Sequence, residues 1–354
     1  MSILKQNVGI DISMEGFSVN LSVLDASFEK RCLGSNEFSN TSEGFKKFLG
    51  WVEKTKDPGV AEAYTMEYTG VYYEQLAYYL LSKEKPVNMV IPSKAKKYFE
   101  SLPWASKTDK LDAKSLSWLG LERNLKRWNP ISDNFRRIRF LTREREELLK
   151  ERTMVSNRMH ADDYKAFSTP ETRERYHARM DLLKEQVEQI EQEIRDLIAT
   201  DEELDTRIRR LETIPGVGFV TAATIVAETN GFAAITNQKQ LTSYAGLDVK
   251  LRESGKYKGK ARISKQGNSH LRRILYFPAQ VAAIHNKPLS VFYERVKGRK
   301  HKSLIAGVAV QRKLLCLMYT LWKTDTVFDP NYEYNKFCNK IKKAGQPCRL
   351  PCAG

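Results

Sequence analysis

Residues 8–12 read Val-Gly-Ile-Asp-Ile, a short apolar run with a carboxylate near its end. Its length and its branched apolar side chains predict a central β-strand. Asp11 is badly placed for packing there, because an ionised carboxylate is costly to remove from water unless a positive charge compensates for it. A divalent metal ion would supply that charge. The same stretch therefore predicts both a β-sheet and a metal site at Asp11.

The first 125 residues alternate strand-like and helix-like patterns. Five strands are predicted, over residues 8–12, 18–24, 31–38, 64–67 and 87–91. Helices are predicted over residues 41–51 and 72–82. Three early strands followed by alternating helix and strand predict an α/β mixed sheet with flanking helices, in the order found in ribonuclease H-like nucleases.

Three further carboxylates extend the candidate site. Glu67 ends the fourth predicted strand, which neighbours the first strand in this fold order, so Asp11 and Glu67 would converge. Asp109 and Asp112 are three residues apart in a predicted helix and share one face of it. Oxygen-only ligands with several charges suit Mg²⁺ or Mn²⁺, and two such ions can activate the attacking and the leaving oxygen at phosphorus.

The residues alone leave a second interpretation of these carboxylates open. Asp109 would cap the helix that runs through Ser115, and Asp112 would be a solvated acid in its first turn. Asp11 and Glu67 would then cap turns.

The positive charge of the chain is concentrated in one stretch. The 354 residues carry a formal net charge of +16, and the length suffices for two domains with a helical connector. Residues 250–313 hold seventeen Lys or Arg and two Glu, which accounts for nearly all of the excess. This uneven distribution of charge predicts a polyanionic partner, and nucleic acid is the first candidate.

Cysteine content and hydropathy predict a cytoplasmic protein with no membrane partner. No segment approaches about 18 consecutive apolar residues, and the N-terminus lacks a signal-peptide layout. Five cysteines in this length do not make a disulfide framework. Cys338, Cys348 and Cys352 cluster in the tail without a nearby histidine, and a metal site there is the weaker alternative.

Residues 133–210 contain no glycine, one proline and many charged side chains. Apolar residues within them recur at steps of four and three, which predicts a coiled-coil seam. These residues are Leu183, Val187, Ile190, Ile194 and Leu197. We expect two long antiparallel helices that form an arm over residues 129–208 and serve dimerisation. The alternative is an intramolecular hairpin packed on its own domain.

A mainly helical C-terminal domain, predicted over residues 209–330, opens with Ile214-Pro215-Gly216-Val217-Gly218. A Pro-Gly-x-Gly turn between helices exposes backbone amides that can hold a phosphate, as in helix-hairpin-helix units. Gly216 and Gly218 are therefore candidate nucleic-acid contacts, and a plain interhelical turn is the alternative. Residues 331–354 are a basic tail for which the sequence indicates no role.

A basic, glycine-punctuated stretch follows at residues 256–268, with Tyr257 inside it, and is typical of a loop against a phosphate backbone. Seven cations of this stretch and of the next helix are predicted to contact the nucleic-acid backbone, which positions the molecule without reading its sequence. They are Lys256, Lys258, Lys260, Arg262, Lys265, Arg272 and Arg273.

In this order the motifs resemble those of the DEDD transposases of bacterial insertion sequences. That group includes the Piv-type DNA invertases and the bridge-RNA-guided recombinases. The resemblance covers nearly the whole chain. The matching segments are Val8–Asp11, Met66–Gly70, Lys107–Ala113, Ile214–Gly218 and Ser243–Leu247.

The resemblance implies a RuvC-like catalytic domain over residues 1–128, an arm, and a transposase domain. It places the family's four acidic, metal-binding positions on Asp11, Glu67, Asp109 and Asp112. It also implies a nucleophilic serine in a Glu-Ser-Gly context, which here is Ser254. Donor and target double-stranded DNA, a structured non-coding guide RNA, and a homodimer that can pair into a tetramer are the implied partners.

From the residues alone, Ser254 also fits a turn residue that bonds phosphate, and Ser264 and Ser269 are its rivals as nucleophile. We expect an Mg²⁺-dependent, RNA-guided DNA transposase or recombinase. The alternatives are a protein-directed site-specific invertase, a RuvC-like structure-selective nuclease, and a nucleic-acid-binding protein without catalysis.

Overall fold

The computed structural model describes residues 2–332, apart from residues 69, 105, 107, 251–252, 255–256 and 260–261. The chain divides into two compact units, residues 1–130 and 131–354. The strands of the first unit are β1 (Ile3–Ile12), β2 (Gly16–Asp25), β3 (Lys30–Ser39), β4 (Glu62–Glu67) and β5 (Val87–Val90). Its helices are α1 (Ser42–Thr55), α2 (Glu74–Ser82), α3 (Pro92–Phe99) and α4 (Asp109–Glu122).

The five strands form one sheet in the order β3-β2-β1-β4-β5. The first three strands are antiparallel neighbours, β4 runs parallel to β1, and β5 runs parallel to β4. This order and these directions are those of the ribonuclease H-like fold. The predicted fold class is confirmed.

One face of the sheet packs on an apolar core. Ile10 and Tyr64 are fully buried there against Phe48 of α1 and Leu76 of α2. Helix α1 begins after Thr41, whose side-chain oxygen accepts a hydrogen bond from the Gly44 amide at 3.2 Å. Burying these apolar side chains removes them from water and stabilises the unit.

Helix α4 covers the opposite face, and it lies directly on β1 because Gly9 has no side chain. A Cβ at Gly9 would lie 2.0 Å from the Ala113 carbonyl oxygen and 2.2 Å from the Ser117 nitrogen. Beside it, the Asn7 side chain donates to the Ser117 carbonyl at 3.1 Å and accepts from the Thr65 hydroxyl at 3.0 Å. These contacts fix helix α4 over the first and fourth strands.

The second unit is mainly helical. Its helices are α5 (Asp133–Asp162), α6 (Pro170–Ala199), α7 (Glu202–Glu212), α8 (Phe219–Thr229), α9 (Gln238–Tyr244), α10 (Ser269–Ile274), α11 (Tyr276–His285), α12 (Lys287–Lys300) and α13 (Ser303–Thr324). Between α9 and α10, the described residues form the short strands β6 (Val249–Lys250), β7 (Glu253–Ser254), β8 (Tyr257–Lys258) and β9 (Arg262–Ile263).

Helices α5 and α6 run antiparallel, with Arg145 paired to Glu191 at 2.6 Å halfway along. The predicted seam residues Leu183, Val187, Ile190 and Ile194 are buried within the chain. At the end away from the connecting turn, these two helices share one core with the helices that follow. This core contains Ile138, Ile194, Ile208, Ile225 and Leu314. The dimerisation role of the pair stays a prediction.

Helix α13 is long and apolar enough to cross a membrane by length and composition. In this unit it packs as a core helix. Val310, Leu314, Leu315 and Met318 are fully buried and belong to the shared core. Its apolar composition is therefore accounted for by packing.

Replacing Gly9 by alanine should destabilise the N-terminal unit. The added Cβ meets helix backbone, which cannot move aside as a side chain can, so we expect a loss of about 3 kcal/mol in the free energy of unfolding. Gly50→Ala is the matched control, because a Cβ at this exposed helical position meets nothing within 4 Å. It should stabilise the protein by about 0.5–1 kcal/mol. Equal urea midpoints for the two variants would contradict the packing described for α4.

Candidate active site

Asp11 and Glu67 occupy adjacent positions on neighbouring strands. The parallel register pairs Gly9 with Thr65 and Ile10 with Met66, and Asp11 and Glu67 are the next residues. Neighbouring strands lie about 4.8 Å apart, and side chains at matched positions project from the same face. Both carboxylates are half-buried. The register thus places Asp11 and Glu67 side by side, as expected from the strand order.

The first turn of α4 lies beside this pair. Along β1, Asn7 contacts Ser117, whereas Gly9, two residues further, contacts Ala113 and Ser117. Two residues of strand and four of helix each advance about 6 to 7 Å, so the next step brings Asp11 to the level of residues 109–113. Asp109 is exposed and Asp112 is half-buried at that end of the helix.

The helix-cap interpretation of Asp109 is wrong. Thr108 is the N-cap, and its hydroxyl accepts a hydrogen bond from the Leu111 amide at 3.3 Å. Asp109 and Asp112 follow in the first turn, where acidic side chains also interact favourably with the helix dipole. Asp11 lies within β1 rather than in a turn.

The four positions provide the donor type that a hard divalent cation prefers, because carboxylate oxygens are the usual ligands of Mg²⁺ and Mn²⁺. As they stand, however, no three His, Cys, Asp or Glu side chains in the described part of the chain form a group that could hold a metal ion. The backbone brings the carboxylates to one edge of the sheet. Ligation would require their side chains to turn toward a common point.

In the second unit, Ser254 lies on a small hairpin. We call residues 249–263 the serine hairpin. Strand β6 pairs with β9, and β7 pairs with β8 so that Ser254 faces Tyr257 in the register. Ser254 is exposed. Its two rivals are more enclosed, because the Ser264 hydroxyl hydrogen-bonds to Asp248 and Ser269 is half-buried at the start of α10.

The predicted phosphate contacts differ in their surroundings. Arg262 and Lys265 are exposed, whereas Lys256, Lys260 and the side chain of Lys258 lie outside the described residues. Arg272 donates to the carbonyl of Ala245 at 2.8 Å, and its pKa is lowered by burial and by the neighbouring Arg273. Arg273 pairs with Glu146.

The two glycines of the Pro-Gly-x-Gly turn also differ. Gly216 has a φ of +97°, and a Cβ there would lie 2.7 Å from the Pro278 carbonyl oxygen, so its contact with α11 requires glycine. Gly218 is exposed at the start of α8 with open space around it. The nucleic-acid role of both glycines stays a prediction.

A buried carboxylate, Glu228 on α8, was not predicted from the sequence. Its side chain is fully buried, and Arg143 of α5 binds it with two hydrogen bonds of 2.7 and 3.0 Å. Burial would raise its pKa, but the hydrogen bonds and charge of Arg143 and the charge of Arg139 outweigh burial and lower the pKa. The sequence did contain a signal for it, because Glu228 follows the largely apolar run Ala222–Ala227. Asp11 was selected as a candidate for the same reason, as a carboxylate near the end of an apolar run.

A second ionic contact lies one turn further along α5. Glu146 accepts a hydrogen bond from His270 Nδ1 at 2.5 Å and pairs with Lys150 at 3.0 Å and with Arg273. Burial opposes its ionisation, yet hydrogen bonds from these three side chains lower the pKa of Glu146 to about 2. Glu146 thus ties α5 to α10.

Comparison with known proteins gives consistent matches at the level of the family. A DEDD transposase model of the IS110 type matches residues 8–162, and a model of the transposase IS116/IS110/IS902 family matches residues 208–294. The pilin gene-inverting protein of Moraxella bovis is 30% identical over 334 residues, which cover 92% of this chain and 98% of that protein. The transposase for insertion sequence element IS1328 of Yersinia enterocolitica is 25% identical over 272 residues, or 68% of this chain and 78% of its own.

Among solved structures, Thermus thermophilus RuvC in complex with a Holliday junction substrate matches 35% of this chain and 99% of its own. The TM-score is 0.26 and the sequence identity 12%. The ribonuclease H-like fold follows from the strand order itself. The fold and the four acidic positions (Asp11, Glu67, Asp109 and Asp112) together define a ribonuclease H-like protein with the DEDD motif. The chain belongs to the IS116/IS110/IS902 transposase family.

Glu146→Gln should destabilise the protein in a pH-dependent way. The folded pKa of Glu146, about 2, lies below its ordinary value of 4.5, so the carboxylate stabilises the fold above pH 4.5 and loses this effect as the pH falls toward 2. We expect the variant to be about 1–2 kcal/mol less stable at pH 7, allowing for screening by water at this partly exposed group. Urea unfolding at pH 7 and pH 3 measures the difference, which should shrink at the lower pH.

Glu144→Gln is the control for this prediction, because Glu144 is an exposed acid on the same helix. It should change stability by less than about 0.5 kcal/mol at either pH. A deficit for Glu146→Gln that is as large at pH 3 as at pH 7 would argue against the ionic contact.

Proposed function

We propose that this transposase cuts and exchanges DNA strands with a metal-bound acidic tetrad and a serine nucleophile. Asp11, Glu67, Asp109 and Asp112 would hold Mg²⁺ or Mn²⁺, and Ser254 would attack the DNA backbone. The observation that carries the proposal is the β1–β4 register, which sets Asp11 beside Glu67 on the face covered by α4. Cytoplasmic DNA is the proposed place of action.

The proposed reaction is a pair of phosphoryl transfers. The Ser254 hydroxyl loses its proton and its oxygen forms an ester bond to phosphorus, while a bond from phosphorus to a deoxyribose oxygen breaks and that oxygen gains a proton. A deoxyribose hydroxyl of the other DNA then loses its proton and bonds to the phosphorus, the ester bond to Ser254 breaks, and the serine oxygen regains a proton. One phosphodiester is exchanged for another through a phosphoserine, so no external energy source is needed.

Each part of the site has a distinct task in this reaction. A bound divalent cation would stabilise negative charge on the phosphate and lower the pKa of the attacking hydroxyl. The carboxylates would place the cation at the sheet edge. A serine hydroxyl is a poor nucleophile at neutral pH and requires such activation. Exposed cations such as Arg262 and Lys265 would hold the phosphate backbone without reading its sequence.

We infer further that Ser254 of one subunit meets the tetrad of another, in a dimer that can pair into a tetramer, and that a structured guide RNA selects donor and target DNA. The net charge of residues 250–313 supports a polyanionic partner. Protein-directed, site-specific DNA inversion is the second candidate. It is favoured by the 30% identity to the pilin gene-inverting protein over 92% of this chain. RNA that copurifies with the protein supports guidance, and its absence supports inversion without a guide.

Asp11→Asn should abolish DNA strand cleavage. The substitution keeps the size of the side chain and removes one charged oxygen ligand, so we expect the cleavage rate to fall about 10³-fold or more, with DNA binding retained. Single-turnover cleavage of a labelled duplex in Mg²⁺ measures this. Glu100→Gln, at an exposed acid in the same unit, should cleave at the normal rate. Cleavage by Asp11→Asn at the rate of Glu100→Gln would exclude the tetrad.

Ser254→Ala should abolish the covalent attachment of the protein to DNA. The attached species is detected as a DNA-labelled band that resists denaturation. Ser269→Ala leaves Ser254 in place, so this variant should still become covalently attached to DNA. Unchanged cleavage by Ser254→Ala would instead favour a RuvC-like nuclease that uses water as the nucleophile.

A further inference from the structure

The described residues of the serine hairpin form only short strands. Each of its four strands is two residues long, and an isolated two-stranded ribbon is marginally stable in water. The direction in which Ser254 points is therefore set by how the base of the hairpin is held. That base consists of residues 244–248 on the entering side and 264–268 on the leaving side.

Backbone hydrogen bonds close the base. The Ser264 amide donates to the Asp248 carbonyl at 2.8 Å, the Lys265 amide to Gly246 at 3.0 Å, and the Asn268 amide to Tyr244 at 2.8 Å. The two segments pass in backbone contact, because a Cβ at Gly267 would lie 2.4 Å from the Tyr244 carbonyl oxygen. The entering and leaving segments are therefore joined to each other through their backbones.

Asn268 attaches this piece to the core of the unit. Its side-chain oxygen accepts from the amides of His270 and Leu271 at 2.9 and 3.3 Å and so caps α10. Its side-chain nitrogen donates to Glu228 Oε2 at 2.6 Å. The amide orientation follows from these partners, since the carboxylate only accepts and the two backbone amides only donate.

Glu228 is a rigid anchor for that hydrogen bond. Arg143 fixes its carboxylate from α5, and Arg139 donates to the Ala227 and Glu228 carbonyls at 2.9 Å each, at the end of α8. The Tyr244 hydroxyl also donates to the Glu228 carbonyl, at 2.9 Å. A charge-assisted hydrogen bond to a buried carboxylate is stronger than one between neutral groups. Glu228 thus contacts both sides of the hairpin base.

We propose that Asn268 and Glu228 are positioning residues for Ser254, and that their hydrogen bond orients the serine hairpin toward the DNA phosphate. This proposal rests on the proposed role of Ser254 as the nucleophile. Neither residue touches the reacting atoms. They act by holding the base of the hairpin on α8 and α5, so that the Ser254 hydroxyl meets phosphorus in line with the leaving oxygen.

Asn268→Asp in the full chain tests this role. The new carboxylate still caps α10, but it loses the donor to Glu228 and faces it with like charge. Because a misplacement of about 1 Å can cost about 100-fold in rate, we expect serine–DNA adduct formation at saturating DNA to slow about 10- to 100-fold, with the dissociation constant for DNA unchanged. The matched control is Asn237→Asp, at the asparagine that caps α9, and it should react at the normal rate.

Exchanging the two groups provides a rescue. In the double variant Glu228→Gln with Asn268→Asp, the glutamine amide donates and the aspartate accepts, so the hydrogen bond returns with its direction reversed. The glutamine nitrogen takes the place of the oxygen that also accepts from Arg143, so one of the two Arg143 hydrogen bonds is lost. We expect the double variant to recover part of the lost adduct rate. Equal rates for Asn268→Asp and Asn237→Asp, or a double variant no faster than Asn268→Asp, would overturn the proposal.

Amide hydrogen exchange over residues 248–264 tests, independently of catalysis, whether the Asn268–Glu228 hydrogen bond holds the base of the hairpin. Asn268→Asp should speed exchange there while Ala222–Ala227 of α8 stays protected, and unchanged exchange would overturn the proposal. If Asn268→Asp does not fold, Asn268→Ser is used in its place in both measurements. The serine hydroxyl can still cap α10, but it is too short to reach Glu228. An adduct that persists in Ser254→Ala would refute the proposed nucleophile, whereas exchange would still decide the role of Asn268.

Discussion

The backbone of α4 rests on the backbone of β1 because Gly9 has no side chain to hold them apart. Close packing of this kind leaves one register for the helix along the strand. Asn7 secures that register through Ser117 on the helix and Thr65 on the neighbouring strand. The acidic first turn of α4 is thereby set beside the edge where β1 and β4 carry Asp11 and Glu67. The candidate metal site depends on this close packing of helix on strand.

In the second unit, a buried ion pair between Glu228 and Arg143 joins elements that are far apart in sequence. Glu228 lies in an apolar helix, and its burial is tolerated because Arg143 and Asn268 satisfy its oxygens. Removing one partner of such a buried group costs more than the contact itself contributes, because the other partner is left unsatisfied. Glu228 thereby ties α5, α8 and the base of the serine hairpin together.

Sequence patterns predicted much of the first unit, because its strands alternate or run apolar and its turns are short. They missed the start of β1, where the polar Gln6 and Asn7 are buried and satisfied by distant groups such as the Asp57 and Ser117 carbonyls. They also treated Arg272 and Arg273 like Lys265, although Arg272 bonds the Ala245 carbonyl and Arg273 pairs with Glu146. The burial of Gln6 and Asn7 and the pairing of the two arginines depend on partners far away in sequence. A local sequence pattern carries no information about such partners.

Titration of the full-length protein with Mn²⁺, followed by electron paramagnetic resonance of the free ion, tests most directly whether the four carboxylates form one cation site. We predict saturable binding by the unmodified protein, weakened about tenfold or more in Asp11→Asn and in Gly9→Ala, and unchanged in Glu100→Gln. Equal Mn²⁺ binding by the unmodified protein and by Asp11→Asn would contradict a shared site at this edge of the sheet.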